Sequence, residues 1–252
     1  MSARPDLAHP GAAAEVRLIL VHSPIVGPDT WAPVAEVLRA AACHVLVPRL
    51  DDTWIGPFWP AHVASVVRAV GDAEAGQSPL VLVLHSGAGQ LADHLVAALD
   101  AAGHTVEGVV FADAGLPPDG ASRLAQLGGE DPEVARELDA LLTAGERVPD
   151  WTDEQLAALV PDGARRRRLL DGIRTLPAEY WRETIPPVDT PPHRRAAVLL
   201  GDGYAPTAAT AMVEGWPILD LRAHNHFLAL REPEVVAEAL LDVIDQVLGS
   251  TS

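Results

Sequence analysis

Pro79-Leu80-Val81-Leu82-Val83-Leu84-His85-Ser86-Gly87-Ala88-Gly89 is the stretch on which the reading of this chain turns. A run of apolar β-formers opened by Pro79 breaks off at His85-Ser86-Gly87-Ala88-Gly89, and Leu91, Leu95 and Leu99 follow at helical spacing. The pattern predicts a strand, a sharp turn and a helix. Such a turn lifts the Ser86 hydroxyl clear of the sheet edge, and the small residues around it let two backbone segments pass closely. The helix start lies just behind Ser86, where unpaired amides and the positive dipole end favour negative charge on a bound group. A serine held there is a candidate nucleophile. A strand running into a helix through a small-residue loop gives the same local pattern without chemistry, so a catalytic role for Ser86 requires a base and an acid elsewhere in the chain.

The 252 residues suit one α/β domain carrying an insertion, and an apolar fraction of 48% is that of a globular protein. No apolar run reaches the roughly 18 residues of a membrane span, and the N-terminus lacks the charged and apolar regions of a signal peptide. The expectation is a cytoplasmic protein that does not bind membranes. A formal net charge of −17 argues against nucleic acid as a partner, because phosphate contacts need clustered cations. All 18 basic residues are arginine, which excludes Schiff-base chemistry and a catalytic lysine. The run Arg165 to Arg168 lies beside acidic segments and reads as a solvated helix face. Cys43 is the single cysteine, which excludes an intrachain disulfide and a thiolate metal cluster and reads as a small buried residue leading into a strand.

Working outward, Val16 to Val21 predicts a buried strand. Asp29 or Thr30 is the expected cap of a helix carrying Trp31, Val34, Val37 and Leu38, and Val45 to Val47 the next strand. An aromatic, Pro-rich loop (Trp54, Phe58, Trp59, Pro60) leads to a helix over 62–70. Val109 to Phe111 then forms a strand ending at Asp113. Residues 116–192 change character: helical segments are expected at 132–142, 153–159, 163–176 and 178–182, with no strand signal. A helical block between two strands of a βα series reads as an inserted lid, so residues 1–115 and 193–252 form the two parts of the core domain. The sheet resumes with Ala196 to Leu200, a helix over 207–214, the strand Pro217 to Leu221, and a last helix opened by Pro233. Six strands alternating with helices predict a mostly parallel sheet with helices on both faces. Ser23, Ser86, Asp113, Asp202 and His226 all follow strands and so share the carboxyl-end rim, where loops of such sheets gather.

Leu84-His85-Ser86-Gly87-Ala88 resembles the nucleophile elbow of the α/β-hydrolase superfamily, usually G-x-S-x-G, with Leu84 and Ala88 in place of the flanking glycines. Asn225-His226-Phe227, followed by Arg231-Glu232-Pro233-Glu234, resembles the family's catalytic histidine loop, with His224 as an alternative base. The resemblance implies a Ser-His-Asp arrangement. In most members the acid lies in a G-x-x-D stretch after the lid, but Gly201-Asp202-Gly203-Tyr204 puts tyrosine at that position. A minority take it from the strand before the lid, which Phe111-Ala112-Asp113-Ala114-Gly115 matches. Asp113 is therefore preferred and Asp202 is the alternative. The resemblance further implies an oxyanion hole from the Gly87 amide and the loop His22-Ser23-Pro24. Proline has no N–H, and losing one donor in comparable sites costs about 3 kcal/mol, so the Ser23 hydroxyl or the Ile25 amide would have to substitute.

The leading reading is a serine hydrolase of a small carboxylic ester, lactone or thioester that requires no cofactor. Trp54, Trp59, Trp151, Tyr180 and Trp181 are expected to line a pocket for a small apolar substrate. On the same fold, Ser86 and His226 would serve a cofactor-independent lyase, cyclase or isomerase as acid and base, which Pro24 favours, or the chain would be a non-catalytic small-molecule receptor. No G-x-G-x-x-G or P-loop is present, and the histidines lack the spacing of metal ligands.

Overall fold

The computed structural model describes residues 11–50, 55–72, 78–222 and 225–249. Six parallel strands form one sheet in the order β2-β1-β3-β4-β5-β6. They are β1 (Arg17–Val21), β2 (His44–Leu46), β3 (Leu80–Ser86), β4 (Val106–Ala114), β5 (Arg194–Leu199) and β6 (Ile218–Asp220). The connecting helices are α1 (Ala32–Ala40), α2 (Phe58–Asp72) and α3 (Ala92–Ala101). Between β4 and β5 lie α4 (Arg123–Glu130), α5 (Pro132–Thr143), α6 (Asp153–Ala157), α7 (Gly163–Gly172) and α8 (Ala178–Arg182). The chain ends with α9 (Ala205–Glu214), α10 (Leu228–Arg231) and α11 (Pro233–Gly249).

The alternation of side chains along each strand explains why β1 and β3 are apolar throughout. Leu18 and Leu20 of β1, with Val81 and Val83 of β3, face one layer with Trp31 just before α1, Leu38 of α1 and Ile244 of α11. Ile19, Val21, Leu82 and Leu84 face the other, against Val66, Leu95 and Leu99 from α2 and α3. Burying each of these large side chains contributes about 1.5–3 kcal/mol before chain entropy is counted. The chain leaves β1 toward β2 on one side and β3 pairs on its other side, so strand order reverses between β1 and β3. That switch point is where open parallel sheets place ligands. The Ser23 loop and the Ser86 turn both lie there.

Several local expectations are corrected. Asp29 and Thr30 do not cap α1: they belong to a 3₁₀ turn, Pro28–Thr30, and the Thr30 hydroxyl donates to the Gly27 carbonyl at 2.9 Å. Phe58, Trp59 and Pro60 open α2 instead of forming a loop, because Glu183 accepts the Phe58 and Trp59 amides at 2.7 and 3.0 Å and so caps the helix from 124 or more residues away. Helix α7 stops at Gly172, where a Cβ on either Gly172 or Gly27 would lie 3.0–3.2 Å from the other's backbone. Helix α4 has no counterpart in the sequence reading. No described helix is long and apolar enough to cross a membrane.

Candidate active site

Ser86 closes β3 with φ 57° and ψ −125°, a region costing about 1–3 kcal/mol for a residue with a side chain. Its surroundings fix this bend. The Ser86 carbonyl accepts the Gly115 amide at 3.2 Å, and Gly89 must lack a side chain because a Cβ there would collide with the Gly115 carbonyl oxygen. The outcome is a buried serine whose hydroxyl lies 2.9 Å from the Tyr204 hydroxyl. Either oxygen can donate geometrically, but a phenol is the stronger acid and the better donor. Burial pushes the Tyr204 phenol up, so it keeps its proton.

Asp113 and His226 meet from elements 113 residues apart, with His226 Nδ1 donating to Asp113 Oδ2 at 2.6 Å. Asp113, itself at φ 46° and 1% exposed, uses its other oxygen to accept the Leu200 and Gly201 amides at 3.0 and 3.1 Å. Burial alone would raise this carboxyl, but the hydrogen bond and charge of His226 and those two amides outweigh it and hold it below the ordinary aspartate value. The His226 ring is stacked on His85, with centroids 4.5 Å apart, and the His226 carbonyl accepts from His85 Nε2 at 3.2 Å. Burial, reinforced by the charge of His226, pushes His85 down to about 3, so it is a neutral platform. His22 is likewise neutral, lowered by burial to about 4. Its Nδ1 donates to the Ser23 carbonyl at 2.9 Å and its Nε2 accepts the Leu50 amide at 3.3 Å, which anchors the Ser23 loop.

That loop meets the elbow at Gly87, where a Cβ would lie 3.2 Å from Ser23 Oγ, 3.5 Å from Pro24 Cδ and 3.8 Å from the Tyr180 hydroxyl. The structure thus gathers Ser86, Asp113, His226, Gly87 and Ser23 on one rim. His226 makes no hydrogen bond to Ser86; the Tyr204 ring, 5.7 Å from the His226 ring, supplies the serine's partner. Asp202 is exposed in a 3₁₀ turn, Asp202–Tyr204, without a bond to His226, whereas Asp113 has one. Trp59 and Tyr180 line a cavity of about 20 Å³ beside Gly87, together with Pro24, Gln90 and Arg123. Trp151 does not: it packs edge-on to Phe227 at 5.8 Å in a separate apolar cluster beneath the helical insertion. Trp181 is not part of this wall either, since adjacent residues of α8 diverge by roughly 100° and Tyr180 takes the inward direction. Trp54 and His224 lie outside the described residues.

Sequence reasoning missed Tyr204, Arg123 and His85. For Tyr204 a signal existed, because tyrosine stands where the G-x-x-D pattern has its acid. No described group of three or more His, Cys, Asp or Glu side chains has a metal-binding arrangement.

Comparison with solved structures places this architecture among α/β-hydrolases. An extracellular α/β-hydrolase from a Paenibacillus species, described as sharing structural and functional homology with tobacco salicylic acid binding protein 2, superposes with a TM-score of 0.68 at 16% identity, covering 90% of this chain and 98% of its own. Tomato methylketone synthase I, in complex with β-ketoheptanoate, gives 0.64 at 11% identity over 92% and 98%. A pyrethroid hydrolase gives 0.65 at 17% identity over 93% and 99%. No protein-family model and no curated protein matches the sequence. The chain has the α/β-hydrolase fold.

Proposed function

We propose that this α/β-hydrolase-fold protein is a serine hydrolase cleaving a small carboxylic ester, lactone or thioester. The observation that carries the reading is the 2.6 Å bond from His226 to a carboxylate buried at the rim that also presents Ser86 on a strained elbow. Asp113 fixes the tautomer of His226, leaving Nε2 as the base. Ser86 Oγ attacks the substrate carbonyl as its proton passes to His226 Nε2. The tetrahedral intermediate collapses as the same proton goes to the departing alcohol or thiol. Water then repeats the sequence on the acyl-serine, releasing the acid and restoring Ser86.

The developing oxyanion would be held by the Gly87 amide and the Ser23 hydroxyl, in place of the amide that Pro24 lacks. Arg123, Tyr180, Glu183 and Ile185, all from the block between β4 and β5, wall the space beside Gly87, and we read that block as a lid over the site. Structural neighbours described as esterases or hydrolases support the reading at the level of fold. The test is steady-state hydrolysis of short-chain esters, lactones and thioesters by the wild type and by Ser86→Ala. Turnover lost in the variant supports the assignment; turnover that survives it removes Ser86 from the mechanism.

Pro24 favours a second reading, a cofactor-independent lyase or isomerase in which Ser86 and His226 exchange protons without acylation. A neighbour described as a methylketone synthase shares the fold. A trapped acyl-Ser86 intermediate excludes that reading.

A further inference from the structure

Among the described residues, Arg123 is the one arginine on the wall of the cavity beside Gly87. Its placement is at odds with its helix. It is the first residue of α4, directly after the Ser122 cap, where the positive end of the helix dipole disfavours a cation. The side chain is only 16% exposed, and its one hydrogen bond among the described residues, from Nη1 to Glu130 at 3.3 Å, leaves Nε and Nη2 without a partner there. Nη1 also lies 4.0 Å from the Cβ position of Gly115, with Gln90 Cγ at 3.8 Å and Tyr204 Cε1 at 3.7 Å from the same point. Gly115 is the residue whose amide donates to the Ser86 carbonyl. The guanidinium thus shares this corner with the ring of Tyr204, whose hydroxyl lies 2.9 Å from Ser86 Oγ. Glu183, the other charged residue on this wall, is committed: both its oxygens accept amides of α2.

A planar guanidinium with two open donors on the wall of a cavity matches a carboxylate. Resting on the hydrolase reading, we infer that the substrate carries a second, ionised carboxyl group, and that Arg123 binds it while Ser86 attacks the ester carbonyl. The substrate class is then the half-ester of a short dicarboxylic acid or an ester of comparable charge. This replaces the wholly apolar ligand expected from the aromatic residues. A local rule broken at a helix start beside a candidate nucleophile is what a binding site predicts.

The test compares monoethyl glutarate with ethyl pentanoate, a neutral ester of similar length. The wild type should prefer the anionic ester by at least tenfold in kcat/KM, and Arg123→Gln should lower that ratio at least tenfold. Arg123→Lys, which keeps the charge without the planar fork, should fall between the two and serves if the glutamine variant does not fold. Equal turnover of both esters by the wild type, or equal losses on both in Arg123→Gln, overturns the inference and leaves the hydrolase reading standing. If neither ester is turned over, the hydrolase reading is judged on the wider panel of esters, lactones and thioesters, and calorimetric titration of Ser86→Ala with monoethyl glutarate decides the anion site by itself. Binding that is lost in Ser86→Ala/Arg123→Gln supports the site, and absence of binding to Ser86→Ala overturns it.

Discussion

The Tyr204 hydroxyl lies 2.9 Å from Ser86 Oγ, and its ring runs alongside His226, the residue proposed to take the serine's proton. A donor to Ser86 Oγ that is not itself the base leaves the serine proton free to turn toward His226. The same donor steadies negative charge as it forms on Oγ. Tyr204→Phe should therefore lower kcat/KM about tenfold, the worth of one neutral hydrogen bond, with little change in thermal stability. Because burial raises the phenol above its ordinary value, no alkaline loss of activity from Tyr204 should appear below about pH 10. A pH–rate profile of wild type and variant checks both points.

Asp113 is almost fully buried, and its oxygens serve His226 and two backbone amides. Replacement by Asn keeps the shape but presents an NH₂ group to one of those donors and removes the charge that orients the imidazole. Asp113→Asn is expected to lower kcat roughly 10³- to 10⁴-fold, whereas Asp202→Asn, at an exposed turn, should change it less than twofold. A larger loss in Asp202→Asn than in Asp113→Asn would reverse the assignment of the acid.

Acidification should destabilise the fold through His22 and His85. Their folded pKa values, about 4 and about 3, lie below the ordinary 6.5, so between those limits the unfolded chain binds more protons. Stability consequently falls as pH drops from about 6.5 toward 4, by up to a few kcal/mol in all. Thermal unfolding between pH 7.5 and 4.5 measures this, and His22→Gln should flatten the dependence.

Gly89 has no room for a Cβ against the Gly115 carbonyl oxygen, and that backbone cannot move without displacing Ser86. Gly89→Ala is expected to cost about 2–4 kcal/mol in chemical denaturation. Gly203→Ala, with nothing within 4 Å of the added carbon, serves as the comparison.

The elbow, the six strands and their rim were legible in the sequence because each depends on short-range signals: an apolar run, a small-residue turn and a helical repeat following at once. What was not legible depends on distant partners. Phe58 to Pro60 read as a loop because their helix cap, Glu183, comes from beyond the insertion. Helix α4 was missed because Gly128 and Gly129 dilute its repeat. Asp113 was distinguished from Asp202 by the family's alternatives, but its bond to His226 is a tertiary contact. Tyr204 stood out as a departure from the G-x-x-D pattern, yet its reach to Ser86 depends on how α9 packs against β5. Among the aromatic residues the sequence offered no means of separating the wall, Trp59 and Tyr180, from the apolar cluster that holds Trp151.

Activation of the Ser86 hydroxyl by His226 is read out by covalent labelling. Incubation with a fluorophosphonate followed by peptide mass spectrometry should place one adduct on Ser86, formed at least a hundredfold more slowly in His226→Ala. Labelling of Ser86 at the same rate in that variant, or no labelling in the wild type, would show that His226 does not activate Ser86.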